Sequence, residues 1–233
     1  MYNEYLAAIQ SRLQQLLSLY REDYAAIYEA KRKAVALWRY GRGGTTIHRG
    51  WFCPSPIKDI VVGNASRGKL LKNAPQQGKP ADYVYGFSAN DELLTIDGPY
   101  SKMYQGPARR EVVIQDGFQK IGLQFDEWHG KTALCGLSIC VYKDGRIVEY
   151  ITTLRPNVQS RTISTFECER YRYGPNGELV AAKWIEWTNL DDMEEPANDV
   201  SVKSPLIRER TYGFEYDAKG SIAHYTVDQD SER

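Results

Sequence analysis

The stretch Cys168-Glu-Arg-Tyr-Arg-Tyr-Gly-Pro-Asn-Gly-Glu-Leu-Val-Ala-Ala-Lys-Trp-Ile-Glu-Trp187 constrains the fold more than any other part of the sequence. It reads as a β-hairpin. Tyr171 and Tyr173 are two residues apart and project to one face of an extended strand, while Arg170 and Arg172 take the other. Gly174-Pro-Asn-Gly177 then reverses the chain, because Pro presets φ and an Asn-Gly pair tolerates positive φ. On the return, Leu179, Ala181, Lys183, Ile185 and Trp187 share one face, and Val180, Ala182, Trp184 and Glu186 the other.

Drifting copies of this unit recur. Tyr83-Val-Tyr-Gly-Phe-Ser-Ala-Asn-Asp-Glu-Leu-Leu94 shares its Tyr-x-Tyr-Gly start and its acid-Leu-aliphatic resumption. Related strand-turn-strand patterns centre on Gly117, Gly145 and Gly220. Including Gly68, the steps between turns are 23, 26, 28, 32 and 43 residues, too irregular for a solenoid of fixed period. Trp51-Phe-Cys53 and Ile60-Val-Val62 read as further short extended runs, and residues 72–80 as a loop. The expected domain at 45–228 is an antiparallel meander of five to six hairpins: a curved sheet, a sandwich or an incomplete barrel.

The first forty residues follow a different rule. Leu6, Ile9, Leu13, Leu16, Leu17, Tyr20, Tyr24, Ile27, Tyr28, Val35 and Trp38 recur at three- and four-residue steps, and neither Pro nor Gly precedes Gly41. Residues 1–40 are therefore expected to be an amphipathic helical segment. Unbroken, about 36 residues would reach about 54 Å, longer than a compact domain of this size is wide. A break within residues 18–23, or an intermolecular contact such as a homo-oligomer formed through the helix, resolves that conflict. The fold class is thus α+β, mainly β.

Charge and cysteine usage restrict partners. Lys plus Arg and Asp plus Glu both total 30, so no global field favours nucleic acid or an anionic membrane. The basic tract Lys31-Arg-Lys33, with Arg39 and Arg42, suits the negative end of a helix dipole. Residues 188–199 carry Asp191, Asp192, Glu194, Glu195 and Asp199 without a basic residue. Cys53, Cys135, Cys140 and Cys168 form neither a disulfide scaffold nor a zinc motif. No secretory signal or bilayer-length apolar run is visible, so a cytoplasmic chain is the expectation.

Chemistry offers less. Among His48, His129 and His224, only His129 has an acid, Glu127, on the same strand face, so Asp126-Glu-Trp-His129 is the local acid-base candidate, or a polar strand end. Phosphate loops, dinucleotide fingerprints, nucleophile elbows and metal-ligand spacings are missing, so no catalytic residue, cofactor or metal is assigned. The aromatics Tyr171, Tyr173, Trp184 and Trp187 pack across strands or form a partner platform. The acids Asp191, Asp192, Glu194 and Glu195 form a solvated loop or meet a basic partner.

The Tyr-x-Tyr strand followed by a Gly, Asp or Asn turn and an aliphatic resumption, at Tyr83, Tyr171 and Tyr212 to Tyr216, resembles YD/Rhs-type hairpin repeats and the MORN-like repeats of bacterial antitoxins. The resemblance covers about 145 residues, 83–227. Rhs shells are longer, more regular and lack a helical head. A short chain with degenerate copies is more similar to immunity proteins of polymorphic toxin systems. That resemblance implies stoichiometric binding of a cognate protein toxin, with the four aromatics and four acids as partner-binding residues. Two other classes stay open: an enzyme or carbohydrate-binding module using the sheet as a cleft, and a structural subunit assembled through the N-terminal helix.

Overall fold

The computed structural model describes residues 2–20, 24–76, 78–103, 105–128, 131–154, 162–189 and 205–230. The chain begins with α1 (Tyr2–Leu19) and α2 (Tyr24–Lys33), followed by β1 (Leu37–Arg42), a 3₁₀ turn (Gly50–Phe52), α3 (Lys58–Val61), β2 (Lys69–Leu70), β3 (Tyr83–Phe87) and β4 (Leu93–Asp97). A small ribbon of β5 (Tyr100–Ser101) and β6 (Gly106–Pro107) precedes β7 (Arg110–Asp116), β8 (Gln119–Trp128), β9 (Lys131–Lys143) and β10 (Arg146–Leu154). The last strands are β11 (Thr165–Tyr173), β12 (Leu179–Thr188), β13 (Leu206–Tyr216) and β14 (Ile222–Asp230). The fold is α+β, mainly β and antiparallel, and β3/β4, β7/β8, β9/β10, β11/β12 and β13/β14 follow one another as hairpins. Two compact units divide it, one of Tyr20–Gly136 and one of Met1–Leu19 with Leu137–Arg233, and the division falls within β9.

Three of the hairpins use one turn. At Ser88, Gly174 and Asp217 the first turn residue receives a hydrogen bond on its carbonyl from the fourth residue's N–H, at 3.1, 3.0 and 3.0 Å. Its own N–H donates to the carbonyl of the fifth, at 2.8, 2.8 and 2.9 Å. The fourth residue is left-handed each time, with φ 61° at Asp91, 88° at Gly177 and 78° at Gly220. Each ladder shifts register at the two residues before the turn. Asn176, expected to share the positive φ, leaves it to Gly177.

This geometry corrects the alignment of the copies. Glu92-Leu93 and Glu178-Leu179 do correspond, but Gly86 lies inside β3 whereas Gly174 opens its turn. Counted from the turns, Phe87, Tyr173 and Tyr216 are equivalent. The two tyrosines have the same task. The Tyr173 hydroxyl donates to the Ile147 carbonyl at 2.9 Å and the Tyr216 hydroxyl to the Leu179 carbonyl at 3.0 Å, so each ties its hairpin to the return strand of the hairpin before it.

In the Tyr20–Gly136 unit, α2 stops at Lys33 and residues 37–42 form β1, where the helical periodicity had run on to residue 40. Strand pairing overrides propensity here. The Ala36 N–H donates to the Phe87 carbonyl at 2.8 Å, and Trp38 pairs with Gly86, where an added Cβ would lie 3.1 Å from the indole. Lys31, Arg32 and Lys33 fill the last turn of α2, as the dipole favours. The chain leaves α1 at Leu19, inside the expected break.

Each face of this unit's sheet has its own cover. Asp97, Arg110 and Phe125 are successive cross-strand partners on one face. Tyr24 stacks on Phe125 with ring centroids 6.0 Å apart, and Tyr28 meets the same ring edge-on at 5.6 Å. The Tyr28 hydroxyl donates to Asp97 at 2.7 Å, and the Arg110 guanidinium stands 5.6 Å from the Tyr28 ring centre. On the other face, Tyr83, Tyr85, Phe87, Ile96 and Val113 form a core against Phe52, Leu70 and Leu93. The segment over it is irregular. Residues 51–52 are 3₁₀ and 60–61 belong to α3, where extended runs were expected. Three-residue apolar runs have no periodicity to read, and Arg49, Gly50, Gly63 and Asn64 all take positive φ.

Two substitutions check the turn and the tie. An added Cβ at Gly220 meets nothing within 4 Å, so Gly220→Ala isolates the φ cost and is expected to lower unfolding free energy by about 1 kcal/mol in urea titrations. Tyr216→Phe keeps the ring, loses the bond to Leu179, and is expected to cost about 1 kcal/mol in the same titration.

Candidate functional site

Two places concentrate polar groups, one buried and one open. The buried one belongs to the Tyr20–Gly136 unit. Tyr85, Ile96, Glu111 and Gln124 are successive cross-strand partners, which puts a carboxylate in line with core residues. Glu111 is 4 % exposed. Arg49, also 4 % exposed, donates through Nε at 2.8 Å and through Nη2 to its Oε1. His48 Nε2 lies 2.9 Å from Oε2, and the Gln124 amide donates to the same oxygen at 3.4 Å. The Tyr85 hydroxyl closes the arrangement by donating to the Arg49 carbonyl at 2.9 Å. Residue 49 holds φ 65°, and a Cβ at Gly50 would lie 2.8 Å from the Tyr83 ring.

Electrostatics make this an anchor. Burial alone would raise the Glu111 carboxyl, yet Arg49 and His48 outweigh it and hold it down to about 2. Burial lowers the His48 imidazole, against the pull of Glu111, and favours its neutral form. The ion pair therefore clamps the irregular residues 44–52 onto the sheet. A Glu in phase with Val113 was the one sequence sign of an inward carboxylate, and its partners were hidden 62 residues away.

The open site lies in the other unit. On the β11 face bearing Phe166 and Cys168, the rows across β11 and β12 run Phe166 with Trp187, Cys168 with Ile185, Arg170 with Lys183, and Arg172 with Ala181. Phe166, Cys168 and Ile185 are fully buried. α1, whose Leu6, Ile9, Leu13, Leu16 and Leu17 are buried, is fastened here at Tyr5: its hydroxyl donates to Glu149 and lies 3.2 Å from Cys168 Sγ, and its ring lies 4.9 Å from the Arg170 guanidinium carbon. Beyond that row a groove of about 500 Å³ opens, lined by Glu149, Arg170, Arg172, Ala181, Lys183 and Thr211 among others. Glu149, Arg170, Lys183 and Thr211 are consecutive cross-strand partners on β10 to β13. Lys183 is held by buried Glu209 at 2.9 Å, and Arg170 is 3.9 Å from Glu149. Arg172 is exposed and forms no ion pair among the described residues.

The expected partner aromatics are mostly inside. Tyr171 is buried with its hydroxyl on Glu169 at 2.7 Å; Trp184 is buried with Arg210 5.2 Å from its ring centre; Trp187 stacks on Phe166 at 5.0 Å. They do not form one stripe, since Tyr171 and Trp184 share a face and Trp187 takes the opposite one. Tyr173 is half-buried beneath the Arg146 guanidinium. Asp191, Asp192, Glu194 and Glu195 lie outside the described residues, as do His129 and the Glu127 side chain. Cys135 and Cys168 are pushed up to about 12 by burial, so their thiols stay protonated. His224 is exposed on β14. No described helix is long and apolar enough to cross a membrane. The sequence matches no protein family, no curated protein and no solved structure.

Glu111 and His48 both hold fewer protons folded than unfolded, so the stability they confer is present at high pH and lost on acidification. Loss begins below the His48 unfolded value of 6.5 and continues from 4.5, the Glu111 unfolded value, down to about 2. Urea midpoints measured across that range check the sign. Glu111→Ala leaves Arg49 buried without its charge partner and is expected to cost about 3–5 kcal/mol, whereas Glu111→Leu combined with Arg49→Met costs less.

Proposed function

We propose that this chain is a stoichiometric protein binder of the immunity type, acting in the cytoplasm to neutralise a cognate bacterial toxin by occupying it. The observation that supports the reading most is β14. This strand pairs with β13 on one side and with no other strand among the described residues, and Ile222, Ala223, His224, Thr226, Val227 and Asp228 are all exposed. Ile222 and Val227 are each 41 % exposed. Sheets generally blunt a free edge with Lys, Pro or a covering element, because its unpaired backbone groups template another strand. The sequence of β14, Ile-Ala-His-Tyr-Thr-Val-Asp-Gln-Asp, contains neither Lys nor Pro, and its two charges, Asp228 and Asp230, are confined to its end. Such an edge suits strand addition, in which backbone bonds supply affinity and alternate side chains supply selectivity.

Affinity capture with the tagged chain from its native host, followed by mass measurement of the complex, tests the reading. The expected outcome is a one-to-one complex with a protein whose toxic activity falls in proportion to the chain added. Ile222→Lys combined with Val227→Lys should weaken that complex about tenfold or more without lowering thermal stability, since both side chains are exposed. Full inhibition by the edge variant would remove β14 from the interface. Turnover of a small substrate with no toxin captured would overturn the function.

A further inference from the structure

We infer that the groove beside the end of α1 takes an extended acidic segment of the partner, with carboxylates at alternating positions. This rests on the protein-binding reading but on a different surface from the β14 edge. Three cations, Arg170, Arg172 and Lys183, line the groove against one carboxylate, Glu149. Their placement is more telling than their number. Arg170 and Arg172 are two residues apart on β11, so their stems are spaced about 6.6–6.8 Å along the strand. An extended peptide repeats its side chains on one face at that same interval, and an acid-x-acid run laid along β11 meets both guanidinium groups in register. A helix, with about 1.5 Å per residue, has no comparable match at i and i+2.

The remaining lining fits this occupant. Ala181 stands directly across from Arg172, and Thr211 directly across from Lys183. These small side chains leave room for a backbone between the cations. The three cations differ in how far they are already engaged. Glu209 holds Lys183, and the Tyr5 ring and Glu149 position Arg170. Arg172 is exposed and forms no ion pair among the described residues, so it is the group with most to gain from a carboxylate. Guanidinium groups suit this role because they bind carboxylates in a two-pronged geometry and shed water more readily than ammonium groups. The Glu149 carboxylate takes the Tyr5 hydroxyl, which turns it toward the helix.

The probe is a fluorescein-labelled eight-residue peptide with Glu at every second position and Ala between, titrated into the full chain and read by anisotropy. The Gln-for-Glu peptide and inorganic phosphate serve as competitors. The inference expects saturable binding of the Glu peptide that weakens as salt rises, with neither competitor displacing it at tenfold excess. Arg172→Glu should weaken it roughly tenfold or more, while the same charge change at the exposed turn residue Lys219, Lys219→Glu, leaves affinity within about twofold. Thermal melts of both variants verify that the fold is intact. Equal affinity for the Gln peptide, equal loss with Lys219→Glu, or no effect of Arg172→Glu would overturn the groove. A captured toxin that binds Arg172→Glu as tightly as the parent chain would also overturn the groove, and would leave the immunity reading standing. Peptide binding that obeys these expectations while no toxin is captured would support the groove and sink the immunity reading instead.

Discussion

A backbone constraint one residue wide sets the register of three hairpins. When the fourth turn residue enters the left-handed region, at Asp91, Gly177 and Gly220, the ladder before it slips by one step, and the slip decides which side chains share a face. Asp91 tolerates that conformation with a side chain engaged by Arg39 at 2.7 Å. Everything downstream of the register inherits it. The Cys168 row is apolar and the Arg170 row charged because alternate residues of β11 were sorted to that face in the order the turn dictates.

The interior is built with more polar chemistry than its strands suggest. In the Tyr20–Gly136 unit the tyrosines act as both filler and fastener: Tyr83 and Tyr85 stack at 5.8 Å while their hydroxyls reach the carbonyls of the overlying segment. In the other unit Tyr171 reaches Glu169, and Tyr173 and Tyr216 bridge consecutive hairpins. A phenol buries a large ring and still satisfies a backbone acceptor, which explains why a chain so rich in tyrosine can order irregular segments. Phe87 holds the equivalent turn position without a hydroxyl and packs instead against Phe52.

How much of this could be read from the amino acids depended on the range of the interaction. The hairpin from Cys168 to Trp187 was legible because alternation and turn chemistry act within a few residues. The helical start was legible from its spacing, but its end was not, since Ala36 and Trp38 answer to β3 about fifty residues later. Arg49 and Glu111 were invisible as a pair for the same reason. The groove depends on pairings of longer range. Alternation puts Arg170 and Arg172 on one face, but only the pairing with β10, β12 and β13 shows that they border small residues and an open space. The tryptophans left two uses open because aromatic residues at strand spacing serve a core or a surface equally well, and burial decides between them.

The position of α1 carries a consequence for biogenesis. Its docking partners begin with Glu149 and Cys168, and the latter lies 163 residues along the chain from Tyr5. During synthesis the helix, with Leu6, Ile9, Leu13, Leu16 and Leu17 that end up buried, therefore leaves the ribosome long before β10 and β11, where Tyr5 docks, exist. For that interval its greasy stripe has no internal home. The hairpins, by contrast, close within a few residues of being made. The nascent chain thus carries this helix exposed for longer than its hairpins, the kind of surface that holdase chaperones intercept.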